Sequence, residues 1–488
     1  MGHVAEAAVP APLAVVARTA AELIDADGGS VTAYEALLDA VVRWAGRDRE
    51  ALAEELSPVA ERWGGVHQPR VLAAARLLAV VRCAAGPVEE RAEADRGEAR
   101  PWLETCRHAA VQYVVGARIA EICGRLRYGV TVPMLLATPS RADGTVDPFD
   151  LVMRLTEYEQ AGARPGPADL GQALLRCGGG PADEDVVRAA AELALPEGPR
   201  IAAWLRRGGL PQPGAAVVRE PGEPERPSRR YGARVGRRVL VGTEPLDGRG
   251  DFPRPFWSLF RGFEPLIGCN HLLLGHRERH AVAALPWHPE IVAALLLTEV
   301  AATADQDGAG SPEFLPALAQ SPGPAGPAVH LALAYGLGAR PDTDREAAVE
   351  ALLILAAQGR LHGALLGGEL ARLVLLGTLR LPVVTESLGR AAGAGAGAGE
   401  GEGARTAGGA GAVWPVLAAM LPGLLAAVQS GAVSRPHVPL LALAADCAQG
   451  CDARGTVTEV DALAARPGSA QSVREARRLR DVLAGRRP

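Results

Sequence analysis

The chain has 488 residues with 51 basic and 56 acidic side chains, a formal net charge of −5, and this balance argues against a dedicated nucleic-acid or membrane-surface protein. Hydrophobic residues make up 48%, which excludes wholesale disorder, and aromatics only 4%, so a core must be built from Ala, Leu and Val. Every basic residue is Arg and Asn occurs once, at Asn270, a bias expected of a high-GC bacterial genome.

The absence of Lys removes whole chemistries. There is no Walker A or kinase lysine, no Schiff-base amine and no Ser-x-x-Lys acylation device. No serine satisfies G-x-S-x-G; Gly28-Gly29-Ser30-Val31-Thr32 comes nearest and lacks the last Gly. H-E-x-x-H is absent, and Asp25-x-Asp27-Gly28 and Asp305-x-Asp307-Gly308 lack the rest of a calcium loop. No catalytic residue and no cofactor is implied, and the reading is of a non-enzymatic protein. Seven scattered Cys, at 83, 106, 123, 177, 269, 447 and 451, read as small buried hydrophobes in a reducing cytoplasm. Glu6 lies where a signal peptide needs positive charge.

In chain order the signals are helical. Residues 11–60 read as two or three Ala-rich helices broken at Gly28-Gly29 and near Pro58, and Gln68 to Ala85 as another. Residues 87–100 are a charged linker or exposed helix, and 102–128 a long helix. Asp147-Pro148 and Asp183 are helix starts, because Asp accepts from free backbone N–H groups and Pro suits the first turn. Pro167 to Cys177 forms a short helix between them. Residues 208–265 are rich in Pro and Arg and read as an irregular connector, with one strand candidate, Val235 to Thr243.

Helices resume at Pro289. Thr343-x-x-Glu346 forms a capping box, and Ser472 with Glu475 caps the last helix. Residues 393–403 are a Gly-rich linker. Val413 to Val428 is interrupted by Pro415 and Pro422, too short for a membrane span, and reads as a buried helix pair. The expected fold is all-α: a HEAT or armadillo-like α-solenoid of helix pairs, with an irregular helical bundle as the alternative. It divides into an N-terminal helical-repeat domain (1–207), a connector with short strands (208–288) and a C-terminal repeat domain (289–488) interrupted by a linker at 393–412.

Three constellations carry chemistry. Phe252, Phe256, Trp257, Phe260 and Phe263, interleaved with Arg254 and Arg261, read either as a hydrophobic pin under the connector or as an aromatic-and-Arg hot spot for a protein partner. The pattern predicts a mixture, with Trp257 buried and one Phe exposed beside the arginines. Cys269, His271, His276 and His280, with His288 beyond, are the candidate metal ligands, since His276 and His280 share a helix face. The Arg-rich stretches 219–238 and 466–487 are candidate nucleic-acid patches, although only Tyr231 offers a stacking ring.

The stretches VPMLLATPSRADGTVDPFDLVMRL (132–155), AGARPGPADLGQALLR (161–176) and ELARLVLLGTLRLPVVTESLGRAA (369–392) resemble a family of large, uncharacterised actinobacterial proteins. The resemblance spans roughly residues 100–465. It implies a helical-repeat domain of unknown function in scaffold components, often encoded beside SWIM-type zinc-finger proteins, and hence a protein partner. It implies no catalytic residue. It also implies longer members, with an N-terminal portion missing here.

Overall fold

The computed structural model describes residues 11–63, 72–85, 109–213, 217–219, 238–263, 279–305, 310–394, 409–430 and 438–486, and these are predominantly helical. The charged stretch 87–100 and most of the Gly-rich linker lie outside the described residues.

The first four helices are α1 (Leu13–Asp25), α2 (Val31–Arg47), α3 (Arg49–Arg62) and α4 (Leu72–Ala85). Gly28 and Gly29, with φ of 99° and 56°, make the expected break between α1 and α2, in a region of backbone space that side chains disfavour. The second expected break is displaced. Pro58 lies inside α3, and the chain turns at Asp48, whose carboxylate accepts from the Ala51 N–H at 3.0 Å. Pro58 is tolerated because it and Glu54, whose carbonyl it cannot serve, are both exposed, so water satisfies that carbonyl. Each of α1–α4 packs against the other three, around Leu38, Leu52, Leu56 and Leu77. This is a small bundle in which helices do not follow one another in a row.

Next come α5 (Ala110–Tyr128), α6 (Pro148–Gln160), α7 (Pro167–Arg176), α8 (Glu184–Glu192) and α9 (Gly198–Arg207). The two expected Asp caps form: Asp147 accepts from Phe149 N–H at 2.9 Å and Asp183 from Asp185 N–H at 2.8 Å. The connector holds a minimal sheet. Strand β1 (Val217–Arg219) pairs antiparallel with β2 (Leu240–Gly242), placing Val218 opposite Val241. Two 3-10 segments follow, Arg249–Asp251 and Arg254–Arg261.

The second half contains α10 (Arg279–Ala284), α11 (Pro289–Asp305), α12 (Phe314–Gln320), α13 (Pro327–Leu337), α14 (Asp342–Ala357) and α15 (Gly363–Leu375). It ends with α16 (Leu381–Gly393), α17 (Gly409–Gln429), α18 (Val438–Gly450), α19 (Thr458–Ala464) and α20 (Gln471–Leu483). From α10 to α18, every helix packs against the next but one. The sheet is joined to this stack by Tyr335, whose hydroxyl accepts from Val239 N–H at 2.8 Å and donates to the Val239 carbonyl at 3.0 Å.

Two starts recur. Both α7 and α13 begin Gly-Pro, and a Glu from the long helix two elements earlier accepts their first N–H groups. Glu121 takes Ala168 at 2.8 Å and Asp169 at 3.2 Å. The buried Glu290 takes Gly326 at 2.8 Å and Ala328 and Val329 at 2.9 Å each.

Three expectations are corrected. Thr343 and Ser472 are not caps: α14 starts behind Pro341 and α20 behind Ala470, neither with a side-chain cap, because those residues supply the extended backbone and the Thr and Ser are already helical. Asp342 instead holds Arg345 at 2.7 Å and Arg390 at 2.6 Å across to α16. The apolar stretch around Pro415 and Pro422 is one 21-residue helix, α17, not a pair. By length and composition α17 is long and apolar enough to cross a membrane. Here it is flanked by α15, α16 and α18, with Val413, Val416, Leu417, Met420 and Leu421 buried. Gly363 and Gly367 of α15 lie against its backbone at Pro415 and Val416, so a side chain at either glycine would collide with it.

Candidate functional site

The aromatic segment divides cleanly. Phe252, Phe256, Phe260 and Phe263 are all buried; Phe252 stacks on Phe256 at 5.7 Å and meets the edge of Trp204 at 5.3 Å. Gly171 of α7 makes room for the Phe252 and Phe256 rings. Arg254 and Arg261 are exposed and Trp257 is half-buried, its indole N–H donating to the Phe252 carbonyl at 2.9 Å. The Arg254 guanidinium lies 5.8 Å from the Trp257 ring centre. The expected mixture is therefore corrected in detail: none of these four phenylalanines is exposed, and Trp257 is the ring of the segment that reaches the surface. Of the four, Phe256 and Phe260 lie in the second 3-10 segment, which packs against α5, while Phe252 and Phe263 flank it in extended backbone.

Of the metal candidates, Cys269, His271 and His276 lie outside the described residues. His280 and His288 line separate cavities. Among the described residues no group of three or more His, Cys, Asp or Glu is placed to hold a metal ion. Most of the first Arg stretch, 220–237, is also outside the described residues. In the second, Arg477 donates to the carbonyls of Ala464 and Arg466, Arg478 pairs with Asp446 at 2.5 Å, and Arg480 and Arg486 both reach Asp481.

A buried ionic cluster joins the N-terminal bundle to the helices that follow. Glu35 of α2 accepts from Arg118 at 2.6 Å and Arg176 at 2.7 Å, and Arg118 reaches Asp169 at 2.7 Å. All four are less than 5% exposed. Arg176 also donates to the carbonyls of Ala137 and Ala283, and Asp169 accepts from Leu136 N–H at 2.6 Å. Burial opposes the Glu35 charge, but the Arg118 and Arg176 guanidiniums outweigh it and hold the carboxyl down to about 2. Against the cluster sits His280, its ring centre 4.7 Å from that of Tyr34. Burial pushes its pKa down to about 4. A carboxylate fixed in its charged form and an imidazole fixed in its neutral form suit the locking of helices rather than proton transfer near neutrality. The cavity between them is only about 20 Å³, room for a water molecule.

A larger cavity, about 270 Å³, lies beyond Trp204, lined by Gly178–Gly180, Trp204, Gln212, Trp287, His288 and the Pro322–Pro324 turn among others. Trp204 is fully buried and its N–H donates to the Cys177 carbonyl at 2.9 Å. Trp287 packs over Gly179, donates to the Arg176 carbonyl at 3.1 Å, and its own carbonyl accepts from Gln212 at 2.9 Å. His288 is buried; its Nε2 lies 3.3 Å and 3.1 Å from the carbonyls of Leu210 and Pro211, which requires the proton there. Its pKa is pushed down by burial, so the ring is neutral. Nδ1 has no partner among the described residues. Sequence reasoning missed this site; the signals available were Gly178–Gly180 and the paired Gly208-Gly209.

Residues 20–194 match the model of a domain of unknown function (DUF7824). The likeness runs from α1 to the region just after α8 and overlaps the resemblance drawn from the sequence only over 100–194. No curated protein and no solved structure matches the chain.

Proposed function

We propose that the protein is a non-enzymatic helical scaffold that binds protein partners in the cytoplasm, its second half an α-solenoid of the HEAT or armadillo kind. The next-but-one packing from α10 to α20 supports the solenoid, since stacked helix pairs meet in that order. Partner binding is carried by one observation: Trp257, flanked by exposed Arg254 and Arg261, stands on a footing of four buried phenylalanines. A half-buried indole fixed by its own hydrogen bond and flanked by two exposed arginines forms a contact patch of the aromatic-and-Arg kind that anchors interfaces. The nucleic-acid alternative draws less support, since Arg477, Arg478, Arg480 and Arg486 already have partners within the chain.

The test is affinity capture from the native host with the wild type and an Arg254→Glu/Trp257→Ala/Arg261→Glu variant. The expected result is loss of specific partners with an unchanged thermal melt. Retention of every partner by a folded variant overturns the assignment of this patch.

A further inference from the structure

We propose that the cavity between Trp204 and Trp287 binds an uncharged, amide-bearing segment of a partner protein, one apolar side chain entering beside the indoles. Among the described residues no Asp, Glu or Arg lines the cavity, and the titratable ring there, His288, is neutral. A carboxylate, phosphate or ammonium would be desolvated there without a counter-charge. Nearby cations are occupied: Arg207 pairs with Asp251, and Arg360 donates to the carbonyls of Ala319, Ser321 and Gly323. A nucleotide, with its phosphates, is therefore a poorer fit than a peptide.

The polar groups left open match a peptide backbone. The N–H groups of Gly178, Gly179 and Gly180 donate to no acceptor among the described residues. Nδ1 of His288 is a buried acceptor without a donor. The cavity lining thus includes both unpaired N–H donors and an unpaired acceptor, together the complement of a peptide C=O and N–H. Both indoles are fixed by their own hydrogen bonds, so the slot is preformed. This site shares Trp204 with the footing of the Trp257 patch but does not depend on that patch binding anything.

The test is titration of the ¹⁵N-labelled full chain with N-acetyl-leucinamide and N-acetyl-prolinamide, following the indole N–H signals. Neutral amides should shift the Trp204 and Trp287 signals with millimolar affinity, as expected of about a dozen non-hydrogen atoms. N-acetyl-leucine and leucinamide, each carrying a charge, should bind at least about tenfold more weakly. Pro324→Trp, a change at an exposed rim position, should abolish the shifts with the circular dichroism unchanged, and Trp257→Ala should leave them intact. Unmoved Trp204 and Trp287 signals, equal binding of the charged compounds, or wild-type binding by Pro324→Trp each overturns the proposal.

Discussion

Replacing Glu35 with Gln tests the buried cluster directly. The change keeps shape and removes charge. Arg118 retains Asp169 at 2.7 Å, but among the described residues Arg176 is left with the carbonyls of Ala137 and Ala283. Removing one partner of a buried ion pair costs about 3–5 kcal/mol because the remaining charge is desolvated and uncompensated. The urea midpoint followed by far-UV circular dichroism should fall by that free energy divided by the m-value, with the m-value itself unchanged. Adding Arg176→Met should recover part of the loss, since the stranded charge disappears with it. The pH dependence carries a second signature. The folded pKa of Glu35 lies below its ordinary 4.5, so its stabilisation is present above pH 4.5 and is lost as pH falls towards about 2. His280, held down at about 4, loses its contribution between about pH 6.5 and 4, because the unfolded chain takes up a proton first. The variant should lose the lower window and keep the upper one. A cost below about 1 kcal/mol, or strictly additive single and double variants, would refute the reasoning.

Three further outcomes follow from the packing. Phe256→Ala should cost about 3–5 kcal/mol, seen as a lowered thermal midpoint, because the ring is fully buried against Gly171 and Phe252. Gly367→Leu should destabilise the α15–α17 contact by several times the effect of the same change at Gly368, which has open space around it; urea melts compare the two. The thiols of Cys177 and Cys447, both pushed up to about 12 by burial, should stay unreactive to iodoacetamide at pH 8 until denaturant is added, as mass spectrometry would show.

Local chemistry was readable from the chain where one residue decides the outcome. Asp147, Asp183 and the Gly28-Gly29 pair set helix boundaries because a cap or a positive φ is a property of adjacent residues. Thr343 and Ser472 failed as caps because the boundary was fixed two residues earlier by Pro341 and Ala470. Pro415 and Pro422 failed as breakers because neighbours on three sides hold α17 together. The buried phenylalanines beneath Trp257 were half legible: clustering was visible, while the face each ring takes depends on α5 and α7. Nothing local signals the Glu35 cluster. Its bonds join residues 83 and 141 positions apart, and each residue alone reads as an ordinary surface charge. The Trp204–Trp287 cavity was hidden for the same reason, since its walls come from α7, α9, the start of α11 and the turn before α13.

The forward-reaching glutamates have a consequence for how such a chain can change over time. Glu121 grips the start of α7 and Glu290 the start of α13, each skipping the helix between. A clasp of this kind fixes the outer two elements and leaves the length of the middle one free. The two places already differ in that respect: the skipped helix has 13 residues in the first and 7 in the second. Insertions and deletions in the bridged helix and its loops can therefore accumulate without shifting the alignment of the layers on either side, whereas loss of the Glu or of the Gly that makes room for it would uncouple them.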